Sequence, residues 1–368
     1  MKAKAFTAMT VLGILSLCLS GIGITAGAED SYNPSWKETA PRSGALLETP
    51  DENGQVHSYL TGKLTDASIA QVRPMSIMIN NISDAMPQAG ISRADVVYEA
   101  PVEGDITRLL AFFEDYADLD KIGPVRSCRD YFIDFAMEFD AIYTHYGQAV
   151  YAFDLLNSSM VDNISGLQYQ DSVGEILGYA GEDIFYRTDD RPAPHNAYTS
   201  YSGLMTAVER NGYSMQYADD YSGHFLFAAD GERVSYSDGT ATYIRPSLYS
   251  NSPYFEYDAS SGQYLRYQYG GAQIDELTGS QLAYDNVIIQ YCPVRAYDDN
   301  GYIDIDTHSG GSAILFTNGT FQNATWSKDG NYGVTRYYDA SGNELKINQG
   351  KTWVCIVQDT RNGDTLIQ

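Results

Sequence analysis

The chain has 368 residues, a formal net charge of −25 and 43% hydrophobic residues, so it is long enough to build two globular cores. That charge excludes nucleic acid as a partner, because such binding neutralises phosphates with Lys and Arg, and it opposes adhesion to anionic lipid. Thirty-one tyrosines suit half-buried strands and polar interfaces, and fit a β-rich fold.

Lys2 and Lys4 precede the apolar run AFTAMTVLGILSLCLSGIGI, and Ala26-Gly27-Ala28 offers an A-x-A cleavage site. Residues 1–28 therefore read as a secretory signal peptide, the alternative being an uncleaved anchor. Cys18 follows Leu17, where a lipidated cysteine requires a small residue, so cleavage after Ala28 is expected. Contact with the membrane is expected only through this segment, if it is not cleaved. Residues 29–71 are polar, with Pro34, Pro41 and Pro50, and read as a tether. Cys128, Cys292 and Cys355 allow at most one disulfide within the chain and suit buried thiols.

Strand and helix signals alternate from residue 72 to 211. RPMSIMINN opens with a strand, ADVVYEA follows, and ITRLLAFFED fits strand or helix by pattern alone. GPVRSCRDYFIDFAMEF predicts a helix with Ser127 as N-cap and Asp130 three residues on, as in a capping box. AIYTHYG is a further strand and AVYAFDLLN a further helix, so this part is an α/β domain. From residue 212 to 368 the turns AADGER, YSDGTA, DASSGQY, YDDNGYI, TNGTF, SKDGNYG and DASGNEL separate short apolar runs. Such spacing predicts a mostly antiparallel β domain, a sandwich or barrel.

RPMSIMINN, MPQAGISRADVVYEAPVEGDITRLLAFF, IGPVRS, YTHYGQ and RPAPHNAYTS resemble the N-terminal domain of the YerB-like bacterial lipoproteins. NVIIQY, TNGTFQNATWSKD and GKTWVCIVQ resemble that family's C-terminal domain, so the resemblance covers about residues 72 to 365. It implies a secreted, usually lipid-anchored envelope protein of two domains whose function is not known. Asp105 stands where the family usually has the second glycine of EGGITR, which makes Asp105 a weaker candidate than Glu99 or Glu103 for a shared role.

The segment VVYEAPVEGDITR places Glu99, Glu103 and Asp105 within seven residues. On an extended strand Glu99 and Glu103 share a face about 13 Å apart, and Glu103 and Asp105 lie roughly 7 Å apart. The second spacing falls within the range for inverting glycosidase carboxylates, about 6.5–9.5 Å; the alternative is a solvated strand face. Arg126 precedes the expected helix cap, where it suits an anion or an internal carboxylate bridge. His145 ends a strand and His195 sits in the stiff loop RPAPHN; either suits a general acid or base. The expected site therefore has Glu103, Glu99, His145 and His195 as catalytic candidates, with Arg126, Arg108 and Asn196 binding the ligand. Glu103 and Arg126 are expected in one cleft with both histidines at its rim. Paired carboxylates should orient the site and an unpaired one should serve as an acid.

No G-x-S-x-G, H-E-x-x-H, phosphate loop or Rossmann glycine pattern occurs, so no cofactor or metal is expected. Two functions remain open: an enzyme, hydrolase or lyase, acting on a cell-wall glycan, or a non-catalytic envelope module that binds a glycan, a peptide or another envelope protein.

Overall fold

The computed structural model describes residues 47–167, 183–330 and 332–368. The signal segment, Cys18 and the cleavage position after Ala28 lie outside the described residues. The expected tether to residue 71 is folded over its described part. There β1 (Gln55–His57) and β2 (Leu64–Asp66) form an antiparallel hairpin, and α1 (Ala67–Ala70) follows with Asp66 as its cap. Leu60, at the tip of this hairpin, is fully buried, which explains why a polar stretch takes a fixed place.

Five strands of the first half follow: β3 (Met75–Asn80), β4 (Val96–Pro101), β5 (Thr107–Phe113), β6 (Ile142–His145) and β7 (Asn163–Ser165). Between them lie α2 (Asp130–Met137) and α3 (Phe153–Leu156). The short pair β8 (Tyr186–Arg187) and β9 (Ala197–Tyr198) precedes α4 (Tyr201–Asn211), which Ser200 caps. ITRLLAFFED resolves as strand because every residue from Thr107 to Phe113 is buried between two neighbours, β3 and β4. Ser127 does not cap α2: its hydroxyl donates to the Tyr146 carbonyl, and the helix begins at Asp130 with Arg129 at the cap position.

The second half is β-rich. In chain order its strands are β10 (Gly239–Thr240), β11 (Tyr243–Arg245), β12 (Tyr254–Asp258), β13 (Gln263–Gln268), β14 (Gly271–Ala272), β15 (Ala283–Tyr284), β16 (Asn286–Cys292), β17 (Val294–Ala296), β18 (Ile303–Ile305), β19 (Gly311–Thr317), β20 (Thr320–Ser327), β21 (Arg336–Tyr338), β22 (Thr352–Gln358) and β23 (Leu366–Ile367). YDDNGYIDIDT forms the hairpin β17–β18, as its turn composition predicts.

The two halves share one mixed sheet, ordered β10-β20-β19-β16-β22-β4-β5-β3-β6-β7, with β21 pairing β20. The join is parallel: Trp353 of β22 sits opposite Val97 of β4. The chain break in texture near residue 211 is therefore no break in the sheet. Strand alternation sends successive side chains into two different cores. Ile77, Val97, Leu109, Ala111, Ile289 and Trp353 face one layer, with α4 and the smaller sheet β14-β13-β12-β11-β23. Met78, Val96, Tyr98, Leu110, Phe112 and Val354 face the other, which α2 covers with Phe132, Phe135 and Met137. Burial on both faces accounts for the unbroken apolar runs MSIMI and TWVCIV. Among the described residues no helix is long and apolar enough to cross a membrane.

Candidate functional site

The three carboxylates of VVYEAPVEGDITR do not line one strand. The chain leaves β4 at Pro101 and turns through Glu103–Asp105, with Gly104 at φ 73° and Asp105 at φ 58°. Each carboxylate meets a different arginine. Glu99 is fully buried; its Oε2 accepts from Arg266 Nη2 at 2.5 Å. Its Oε1 accepts from Asn81 at 3.2 Å, Thr107 at 2.9 Å and Asn251 at 2.6 Å. Arg266 in turn lies over the rings of Phe255 and Trp353, with Cζ 4.8 and 4.6 Å from their centroids. Glu99 is thus a structural anchor sealed from any ligand.

Glu103 grips Arg129 in a two-pronged pair, Nε and Nη2 each 2.6 Å from a carboxylate oxygen. Partial burial would raise its carboxyl, but the Arg129 bonds outweigh this and hold it below the usual range. Asp105 meets Arg361 at 3.1 Å on the surface. Glu103 therefore orients an arginine and is not poised as an acid, and no bond joins it to Arg126.

His145 is not at a rim. It is fully buried, with Nδ1 2.8 Å from the Gly147 carbonyl and Nε2 3.2 Å from Asn163 Oδ1. Burial, outweighing those bonds, holds it below the ordinary histidine range. β4 and β6 do run in the same direction, but their functional side chains end in the interior. Cys128 is likewise enclosed, and burial pushes its thiol up to about 12 despite nearby arginines. All three described cysteines are free and buried.

What the fold does assemble is a group of cations. Arg108 on β5 is only 5% exposed, and its Nη1 donates to the Ser127 carbonyl. Burial, with the charges of Arg129 and Arg126, pushes its guanidinium down to about 10. Arg126 is held down in the same way by burial and by Arg129 and Arg187. Its side chain has no hydrogen bond or ion pair among the described residues, and its Nε is buried without a partner. Beside this strand run, bridged to Cys128, Gln148 also keeps its side-chain N and O buried and unpartnered.

Two predicted residues support this group. His195 Nδ1 lies 2.8 Å from Asn80 Nδ2, so Nδ1 is the acceptor and Nε2 carries the proton of the neutral ring. Burial and the Arg126 charge keep that ring neutral, below the ordinary range. Asn196 is a positioning residue: Oδ1 accepts from Arg187 Nη1 at 2.8 Å, and Nδ2 donates to the Thr188 carbonyl at 2.6 Å. Arg187 stacks on Tyr146, 5.0 Å from the ring centroid. Arg187, Asn80 and Gln148 were not legible as site residues; only the pairing of β8 with β9 brings Arg187 beside Ala197 and hence to Asn196. The arrangement can accept an anion, since Arg126 feels the charges of Arg129 and Arg187, Arg108 feels those of Arg126 and Arg129, and among the described residues Glu103 pairs with Arg129 alone.

Residues 60–214 match the N-terminal domain, and residues 242–354 the C-terminal domain, of a protein family described as of unknown function, DUF3048. A relative in Bacillus subtilis (strain 168), the candidate lipoprotein YerB, is 33% identical over 311 residues, covering 84% of this chain and 88% of its own. The crystal structure of YerB from Bacillus subtilis superposes with a TM-score of 0.72 at 31% identity, covering 85% of this chain and 99% of that one. The lipoprotein name of that relative is consistent with a protein of the cell envelope, and the fold is the expected α/β part followed by a β-rich part. With matches of this extent in sequence and structure, the chain belongs to the DUF3048 family.

Proposed function

We propose that this protein is an envelope module that binds a carboxylate of the cell-wall glycan, on its muramyl or peptide part, through Arg126 and the Nε2–H of His195. The observation that supports the reading is the Arg126 guanidinium, unpaired among the described residues and crowded by other cations in a chain of charge −25. Glu103 neutralises only part of this positive charge, so an incoming carboxylate gains both charge-assisted hydrogen bonds and relief of the remaining repulsion. Binding is favoured over cleavage because Glu99 and Glu103, the candidate acids, are already occupied by Arg266 and Arg129.

Soluble muropeptides titrated into the purified protein in a calorimeter test this directly. Arg126→Ala is expected to weaken binding tenfold or more, as loss of a charge-assisted bond worth about 1.5–3 kcal/mol requires. Arg126→Lys should recover part of it, because a point charge replaces a planar fork. Equal affinity of wild type and Arg126→Ala would refute the site. Fragments released from peptidoglycan by wild type but not by Glu103→Gln would instead restore the hydrolase or lyase reading.

A further inference from the structure

A cavity of about 700 Å³ opens between α2 and the β17–β18 hairpin, apart from the arginine group. Its charged lining is mainly acidic, with Arg295 and His308 as its basic members. Asp130 and Asp134 come from α2, one turn apart, while Asp304 and Asp306 come from the hairpin and the residues after it. The stacked rings of Tyr151 and Tyr297, with centroids 4.0 Å apart and planes 13° apart, form an aromatic wall.

The lining differs from an ordinary wet acidic surface at Asp134. This residue is only 8% exposed, and its Oδ2 is used by the Thr307 hydroxyl at 2.7 Å and lies 3.4 Å from His308 Nε2. Its Oδ1 has no hydrogen-bond partner among the described residues. Asp130 accepts from the Tyr297 hydroxyl, which also lies 3.2 Å from Asp304 Oδ1. The cations available in the protein are few. Arg295 pairs with Asp304 at 2.6 Å from a side chain that is 79% exposed, and Lys328 is committed to Glu138. Asp306 is occupied by the turn it closes, accepting from His308 and Ser309.

We infer that this cavity is a binding site for a primary ammonium carried on an aliphatic chain, as in a free polyamine or a lysine-type side chain. The carboxylate of Asp134 meets the ammonium, and the stacked pair Tyr151–Tyr297, which lines the cavity, packs against the methylenes. The volume fits a small organic molecule, far more than a bare metal ion needs. Burial pushes the Asp130 and Asp134 carboxyls upward, so a bound cation would also hold them ionised.

The test uses the whole mature protein with spermidine, with the amide of Nα-acetyl-lysine, and with its Nε-acetylated counterpart, each followed by calorimetry. Wild type is expected to bind at least one of the two amines, and which one binds identifies the source. Acetylation of Nε should abolish binding of the lysine derivative. Asp134→Asn is expected to weaken binding at least tenfold, and Asp130→Asn provides a second variant if the first melts early by circular dichroism. Glu256→Gln, an exposed charge change on β12 outside the cavity, should bind as wild type does. No binding of either amine, equal binding of the acetylated compound, or unchanged affinity in both aspartate variants would overturn the inference.

Discussion

Replacing Glu99 with alanine is expected to destabilise the fold by about 3–5 kcal/mol, the usual cost of leaving one partner of a buried ion pair uncompensated. Arg266 has no exposure, and its guanidinium is held between Phe255 and Trp353, so it cannot swing to water when its carboxylate is removed. Thr107 loses its acceptor in the same step, and Asn81 and Asn251 each lose one of two. Because Glu99 is on β4 and Arg266 on β13, the pair ties the central sheet to the smaller one. The midpoint of guanidinium chloride unfolding measures the effect. Replacing both partners, as Glu99→Leu with Arg266→Met, should recover much of the loss, since no unpaired charge is then buried. An unchanged midpoint in Glu99→Ala would show that water reaches Arg266 and that the anchor is not closed.

That pair also shows where a sequence stops being readable. The strand at Val96 was evident from Val-Val-Tyr, and the turns of the second half were evident from their Asx-Gly and Ser-Gly dipeptides. Arg266 lies 167 residues beyond Glu99, and no local pattern announces such a partner. The period of the carboxylates misled for a local reason: Pro101 ends the strand and Gly104 takes a positive φ, which turns Glu103 towards Arg129. Ser127 had the chemistry of a cap, but the Tyr146 carbonyl lay within reach and accepts the hydrogen bond of its hydroxyl. The sheet joining the two halves left only one trace, a run in TWVCIVQ too apolar for a half-exposed strand. Arg126 was expected to meet an anion or an internal carboxylate, and among the described residues no carboxylate bridges it, whereas its companions Arg187 and Gln148 come from segments that only the fold brings near.

A second large effect should appear as a dependence of stability on pH, and it arises from carboxylates outside the predicted site. The Glu114 N–H donates to Asp95 Oδ2 at 3.1 Å, and Glu114 Oε2 accepts from the Ser58 hydroxyl at 2.6 Å while Oε1 is buried without a partner. Burial, reinforced by the charge of Asp95, pushes the Glu114 carboxyl up to about 8; burial raises Asp95 to about 6 against the attraction of Lys351. The folded protein therefore keeps protons that the unfolded chain releases, so this contribution is complete at low pH and is lost as pH rises through those values. Glu103 and Glu138 are held low in the folded state, with Glu138 at about 2, so their contributions change only in acid. His145, His195 and His224 are also held low, and their effect has the opposite sign and is spent by neutral pH. Between pH 7 and 8.5 the melting temperature should fall, by an amount corresponding to roughly 2 kcal/mol at most from Glu114, because each bound proton changes stability by about 1.36 kcal/mol per pH unit and Asp95 has released its own by pH 7. His57, raised between Glu48 and Asp230 in spite of partial burial, acts in the same direction, so a variant must assign the slope. Glu114→Gln keeps a polar partner for Ser58 without the ionisation, and it should flatten the fall and leave the protein more stable than wild type at pH 8.5. If differential scanning calorimetry gives the same slope for both proteins, Glu114 does not hold its proton and the buried pair is open to water.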